Sequence, residues 1–265
     1  MHQTDPGASA HDLTLALQIA DELDTLTMSR FRASDLTVTA KPDTTPVSDA
    51  DTAAERLARD IIARHRPADV VLGEEYGGSP RMAGRQWIID PIDGTKNFVR
   101  GVPVWASLLA LAVDGEIRLG VVSAPALGRR WYAARGTGAW LVDGADPRRL
   151  QVSGVWQMED ASLSYSSLEG WREVGRLDAL LDLSRRVWRT RGYGDFWSYM
   201  LLAEGAVDLA AEPELALYDM AALVPIVQEA GGVFTSRAGE PGPYGGSAVA
   251  ANPHLHAEAL SVLGL

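Results

Sequence analysis

The chain has no cysteine among its 265 residues. That excludes disulfides, a thiolate nucleophile, and zinc or iron–sulfur sites built on cysteine. It fits a protein of the reducing cytoplasm. Histidine is scarce: His2, His11, His65, His254 and His256 are the whole set. None lies beside the acidic motifs described below, so a His-rich zinc site is not expected. Basic residues are outnumbered, with 24 Lys and Arg against 35 Asp and Glu, a net charge of −11 and a pI near 4.9. Nucleic acid is therefore not expected as a partner, because a phosphate backbone demands clustered Lys and Arg. Long apolar runs are missing too. The longest, Val102 to Val113, is interrupted by Pro103 and Ser107 and is too short to span a bilayer. Met1 to Ala10 is small and polar with no apolar centre, so it reads as a loose terminus, with no targeting segment and no membrane partner expected.

What is present is concentrated in one stretch, Trp87-Ile88-Ile89-Asp90-Pro91-Ile92-Asp93-Gly94-Thr95-Lys96-Asn97-Phe98. Trp87 to Ile89 reads as a short buried strand. Pro91 has no N–H and should end that strand's pairing just after Asp90. Gly94 permits a tight turn. Thr95 suits a helix start, where its oxygen can cap free N–H groups. Strand end, bend and helix start crowd two carboxylates beside backbone donors. Hard divalent cations want oxygen ligands, and helix N-termini want anions. The residues alone point to a metal site that handles phosphate.

Around this stretch the pattern predicts an ordered series of elements. His11 to Phe31 is an amphipathic helix with Leu13, Leu17, Ala20, Leu23, Leu26 and Phe31 on its apolar face. Leu36 to Thr39 is a strand, and Lys41 to Pro46, with two prolines, is a loop. A helix opens at Val47 to Asp51 and runs to about Arg64, with Asp51 available to support its N-terminus. Val70 to Leu72 is a strand ending in Gly73-Glu74-Glu75. Because a strand alternates its faces, only one of those glutamates can share the side of Asp90. Strands at Val104 to Val113 and Ile117 to Ser123 join through Asp114-Gly115-Glu116. Pairing continues through Arg130 to Ala134 and Ala139 to Val142 as an antiparallel meander. Trp105, Trp131 and Trp140 are read as packing residues.

A boundary is placed at Gly144 to Pro147. Beyond it, strands at Ser162–Ser164, Val187–Arg191, Val207–Ala211, Val233–Thr235 and Ala248–Ala251 alternate with helices. The helices are expected at Gly175–Arg186, Asp195–Glu204, Ala221–Ala230 and after Pro253. That alternation is the pattern of an α/β layered unit. Spacing alone would make Asp219 a helix N-cap, Glu212 an exposed loop acid and Arg191 a structural cation.

Gly73-Glu74-Glu75, Asp90-Pro91-Ile92-Asp93-Gly94-Thr95 and Tyr218-Asp219-Met220-Ala221-Ala222, followed by Glu229-Ala230-Gly231-Gly232, occur in a telling order. In that order the chain resembles the inositol monophosphatase superfamily over nearly its whole length. Gly84-Arg85-Gln86-Trp87, Lys96 to Gly101 and Gly192-Tyr193-Gly194-Asp195-Phe196 make it most similar to the actinobacterial-type histidinol-phosphate phosphatases. Two residues depart from the broad pattern: Tyr218 stands where tryptophan is usual, and Lys96 where threonine is more common.

The resemblance implies an α/β (α+β layered) fold, a five-layer αβαβα sandwich with subdomains at residues 1–145 and 146–265 and the site between them. It implies a Mg²⁺-dependent, Li⁺-inhibited phosphomonoesterase (Mn²⁺ being a possible substitute) that works as a homodimer on a small phosphorylated metabolite. Glu74, Asp90 and the Ile92 carbonyl would hold one Mg²⁺. Asp90, Asp93 and Asp219 would hold the second, and Glu74 would help a third. Asp51 and Thr95, with Glu74, would activate the attacking water. Gly94 and Thr95 would hold the phosphate, while Arg191, Glu212 and Asp219 would face the substrate. Tyr193 and Asp195 are placed at the edge of the pocket.

Two or three divalent ions make sense for an ester that is already anionic and repels nucleophiles. Carboxylate and carbonyl ligands select Mg²⁺ or Mn²⁺ over softer metals. The implied substrate is L-histidinol phosphate. The alternatives are inositol monophosphate, a sugar phosphate or a nucleotide 3′-phosphate with the same chemistry. A non-catalytic metal- or phosphate-binding regulator would predict a missing ligand, and none of these residues is missing.

Overall fold

The computed structural model describes residues 10–42 and 45–264. The terminus expected at residues 1–9 and the middle of the loop expected from Lys41 to Pro46 lie outside the described residues. Ala10–Arg30 forms helix α1. Its buried face carries Leu15, Ala16, Ile19, Ala20 and Leu23, so it is rotated from the expected stripe. Leu13, Leu17 and Leu26 sit partly buried at its margin. Phe31 lies past the helix and packs on Phe98 and Trp105.

Val38–Ala40 (β1) and Pro46–Ser48 (β2) pair antiparallel. Pro46, expected in the loop, belongs to β2, and helix α2 (Asp49–His65) follows β2 directly. Strands β3 (Val70–Gly73) and β4 (Arg85–Asp93) run parallel. Helix α3 is Thr95–Val99. Strands β5 (Ala106–Val113), β6 (Glu116–Ala124), β7 (Arg129–Ala134), β8 (Ala139–Val142) and β9 (Arg148–Arg149) complete a seven-stranded sheet, ordered β3-β4-β5-β6-β7-β8-β9. From β4 onward it is the expected antiparallel meander.

The second half adds β10 (Ser162–Ser164), α4 (Leu168–Glu173), α5 (Leu177–Arg186), β11 (Arg189–Arg191), α6 (Asp195–Ala203) and β12 (Leu209–Glu212). Then come α7 (Leu217–Met220), α8 (Leu223–Glu229), β13 (Val233–Thr235), β14 (Ala248–Ala251) and α9 (His256–Leu263). The helix expected over Ala221–Ala230 is α8, and a separate short helix, α7, precedes it, with Ala221 and Ala222 between the two. These strands form a mixed five-stranded sheet, ordered β11-β10-β12-β14-β13.

Strand alternation sorts the core into layers. Trp87, Ile89, Leu109 and Leu111 face α1 and α2, while Ile88, Leu108 and Ala110 face the opposite way. That second face packs against Phe196, Tyr199 and Met200 of α6, Leu223 and Ile226 of α8, and Ala210, Ala248 and Ala250 of the smaller sheet. Leu209, Ala211, Val249 and Ala251 point outward onto Leu180, Leu183 and Ala259 of α5 and α9. The result is an αβαβα sandwich of five layers. Every residue of β5 is buried because both faces of its sheet are covered. Trp105 and Trp131 are buried as expected, and Trp140 is only partly so.

Pro91 does not end β4. Pairing with β5 shifts register between Asp90 and Asp93 and resumes at Asp93 opposite Ala106. The missing Pro91 N–H is absorbed by this bulge. Ser107 donates its hydroxyl proton to the Pro91 carbonyl at 2.7 Å, and the Ile92 N–H donates to an Asp90 carboxylate oxygen at 3.0 Å.

Candidate active site

The bulge ends β4 with Asp90 buried and Asp93 partly open, both near the start of α3. Gly94 makes the bend with φ of 83°, in the left-handed region that favours glycine. Thr95 is the first residue of α3 and not its cap. Its hydroxyl points away from the helix, lying 3.2 Å from Asp51 Oδ1 and 3.0 Å from the Ile92 carbonyl oxygen, both acceptors for its proton. Asp51 is fully buried in the first turn of α2. Its Oδ2 accepts from the Ser48 N–H at 2.8 Å and the Ser48 hydroxyl at 2.5 Å. Asp51 therefore supports its helix N-terminus and faces Thr95 at once. Burial pushes its carboxyl group upward, against the Ser48 hydrogen bonds.

Glu74 follows β3 in a turn that the sequence reading did not explain. The clamp is Glu55, fully buried one helical turn after Asp51. Its carboxylate accepts the backbone N–H of Glu75 at 2.6 Å and of Tyr76 at 3.2 Å, and pairs with Arg59 at 2.7 Å. A Cβ on Gly73 would lie 2.0 Å from a Glu55 carboxylate oxygen, so any larger residue would have to displace that carboxylate. The clue was available: Glu55 is an acid on the buried face of α2 beside Ala54 and Ala58. Lys41, from the β1–β2 hairpin, donates to Glu74 at 2.7 Å and Glu75 at 2.8 Å. Burial pushes the Glu75 carboxyl group up to about 7.

The second half of the chain brings in Asp219. It is the third residue of α7, and its carboxylate reaches back to accept the Ala216 N–H at 2.7 Å. It is therefore not an N-cap. Asp93 likewise accepts the Phe196 N–H from the start of α6 at 2.8 Å. One oxygen from each of Asp90, Asp93 and Asp219 lies within 4.8 Å of the others. Burial first, then neighbouring carboxylates, push these groups upward: Asp219 to about 7, Asp90 and Asp93 well above the usual range. Glu74, Asp93 and Asp219 act on Asp90, and Asp195, Asp219 and Glu212 act on Asp93. Crowded like charges are unfavourable unless a cation joins them. The donor set is all oxygen, which fits a hard divalent ion.

Of these groups, Glu74, Asp93, Thr95 and Asp219 open onto a cleft of about 590 Å³. The first half of the chain lines it with Glu74, Asp93, Gly94, Thr95 and Lys96. The second half lines it with Asp195, Tyr199, Glu212, Tyr218 and Asp219. Glu212 is not an exposed loop acid: it ends β12, is 7% exposed, and burial raises its carboxyl group to about 8. Asp195 opens α6 with φ of 46° and donates its N–H to the Ser166 hydroxyl at 2.9 Å.

Asp51, Asp90 and Ile92 are buried and do not themselves line the cleft, and of the other expected residues Arg191 and Tyr193 do not line it either. Arg191 is exposed on β11, the edge strand of the smaller sheet, and donates to the Thr190 carbonyl. It is neither at the cleft nor a buried structural cation. Tyr193 accepts from Arg189 at 2.7 Å and packs on Trp197. Sequence reasoning missed Glu55, Lys41, Ser48 and Tyr199, all of which contact or line the site.

The profile of the inositol monophosphatase family matches residues 10–263. A histidinol-phosphatase of Mycobacterium tuberculosis is 60% identical over 256 residues, covering 96% of this chain and 98% of that protein. One of Streptomyces coelicolor is 58% identical over 260 residues, covering 95% and 96%. The solved structure of a Thermotoga maritima IMPase superposes with a TM-score of 0.85 at 30% identity, covering 96% of each chain. By sequence profile, by identity over nearly full length and by layered architecture, the chain belongs to the inositol monophosphatase family.

Proposed function

We propose that this chain is a Mg²⁺-dependent phosphomonoesterase that hydrolyses L-histidinol phosphate to L-histidinol and phosphate. The observation that carries the chemistry is the trio Asp90, Asp93 and Asp219, with one oxygen from each within 4.8 Å. The substrate follows from the histidinol-phosphatase relative at 60% identity over nearly both full lengths.

Glu74, Asp90 and the Ile92 carbonyl would hold one ion in this reading, Asp90, Asp93 and Asp219 would hold another, and Glu74 would help a third. When bound, the ions neutralise the charge on the phosphoryl group, the attacking water and the leaving oxygen. The rest falls to the chain itself. Thr95 gives its hydroxyl proton to Asp51 Oδ1, 3.2 Å away, as its oxygen takes one from the water. Ser48 holds Asp51 in place through two hydrogen bonds to the other carboxylate oxygen. The N–H groups of Gly94 and Thr95 open α3, have no acceptor within the helix, and hold the phosphate. Glu212, buried and in the cleft, pairs with the ammonium group of the leaving alcohol. Asp219, which lines the same cleft, would serve both the metal and the alcohol. Arg191 takes no part in the cleft of a single chain. The two halves, residues 1–145 and 146–265, act as subdomains that close on the ester. We further infer a homodimer working in the cytoplasm, from the family resemblance and the absence of cysteine. Light scattering on the purified protein checks the dimer.

The test is phosphate release from a panel of esters with Mg²⁺, with chelator and with Li⁺. Histidinol phosphate is expected to lead, and chelator and Li⁺ to suppress release. Equal or faster turnover of inositol 1-phosphate overturns the assignment of substrate while leaving the chemistry standing.

A further inference from the structure

Two buried polar atoms of cleft-lining residues have no partner among the described residues: the Tyr199 hydroxyl and the Oε1 carboxylate oxygen of Glu212. One is a donor and the other an acceptor. Tyr199 is 1% exposed on α6 and Glu212 7% exposed on β12, and these two elements pack together. The Tyr199 ring is held in the central apolar layer, 5.4 Å from the Phe234 ring. Its hydroxyl end looks toward the cleft acids, and Glu212 is the charge that acts on it most strongly. Ser166 supports the Glu212 carboxyl group through a side-chain hydrogen bond. A buried hydroxyl and a buried carboxylate oxygen left unpaired are each unfavourable. Phenylalanine would fill the same space without that penalty, so the hydroxyl calls for a reason.

We propose that Tyr199 is a positioning residue for Glu212: as the cleft closes on substrate, its O–H donates to Oε1 and fixes the carboxylate against the ammonium of the leaving alcohol. The substrate ammonium favours the ionised Glu212 that burial alone disfavours, and a charge-assisted O–H···O⁻ bond to it is short and directional. It holds the carboxylate in one rotamer and leaves its remaining lone pairs for the substrate. This rests on the reading of Glu212 given under the proposed function.

A double-mutant cycle on the Mg²⁺-loaded enzyme tests it, using Tyr199→Phe, Glu212→Ala and the pair. Tyr199→Phe is expected to raise KM for histidinol phosphate about tenfold while kcat changes less than about twofold. Its melting temperature should stay level or rise, because the hydroxyl is unpaired without substrate. In the Glu212→Ala background, Tyr199→Phe should change KM by less than about twofold. On an imidazolyl alkyl phosphate lacking the amine, Tyr199→Phe should leave KM unchanged. If Glu212→Ala raises KM but the two changes multiply independently, the positioning role is overturned and the reading of Glu212 stands. If Glu212→Ala leaves KM alone, both fall. A lowered melting temperature with unchanged KM makes Tyr199 a packing residue and overturns the proposal.

Discussion

The two sides of the cleft are built differently. On the side proposed to hold metal and phosphate, each aspartate has one oxygen tied to a backbone N–H, and Glu74 is held by Lys41. Asp51 takes Ser48, Asp90 takes Ile92, Asp93 takes Phe196 and Asp219 takes Ala216. On the side proposed to face the leaving alcohol, Tyr199 and Glu212 carry unpaired buried atoms, and Asp195 sits at a positive φ. The first side is held rigid by the backbone before any ligand arrives. The second is completed by its ligand. That division suits an enzyme whose chemistry is shared across a family while its substrate varies. It predicts that damage to the first side lowers kcat and damage to the second raises KM.

The largest effect should come from Asp93→Asn. It removes a proposed ligand and its charge, so kcat is expected to fall by about three orders of magnitude or more. The fold should survive, since one like charge leaves a crowded cluster. Near-normal kcat in this variant would break the account of the metal side.

Gly73→Ala comes next. The new methyl group would meet the Glu55 carboxylate, and overpacking of this kind costs about 1–3 kcal/mol. Glu74 would shift with its turn, so a drop in melting temperature should accompany a roughly tenfold fall in kcat. A stable and fully active variant would show that the Glu55 clamp does not matter to Glu74.

A subtler comparison uses pH. Without metal, the Asp219 carboxyl group titrates near 7, far above its usual value, and Asp90 and Asp93 shift the same way. The folded state then binds more protons than the unfolded chain between about pH 4 and 7, so stability falls as pH rises through that window. Thermal melts of chelated protein should show that fall. Mg²⁺ should raise the melting temperature more at pH 8 than at pH 5, because at low pH it must displace protons. Equal Mg²⁺ shifts at both values would contradict this.

The smallest effect is expected from Arg191→Ala, whose side chain stands in solvent on the edge strand. KM for histidinol phosphate should change less than about twofold. A tenfold rise would bring the edge strand of the smaller sheet back to the site and blur the division between the two sides.

The sequence by itself determined what short-range sterics can determine. The Asp90–Thr95 stretch carries its own bend, because Pro91 removes a ladder bond and Gly94 accepts a left-handed turn. Its two acids are therefore near each other in any fold that keeps the strand. Apolar runs parted by turn residues such as Asp114-Gly115-Glu116 likewise made the meander from β5 to β8 legible. The five layers were read from motif order, with a resemblance supplying what periodicity could not.

Tertiary structure decided the rest. Whether Pro91 ended the strand or bulged it depended on Ser107 across the sheet. Whether Asp219 capped a helix or joined Asp90 depended on how α7 docks onto β4. Glu55, Tyr199 and Glu212 look like an ordinary helix acid, a core aromatic and a loop acid until α2, α6 and β12 are packed. Arg191 went the other way, an expected contact that an edge strand leaves in solvent. Local chain geometry acts over a few residues, whereas burial and the pairing of distant charges exist only once the layers have closed.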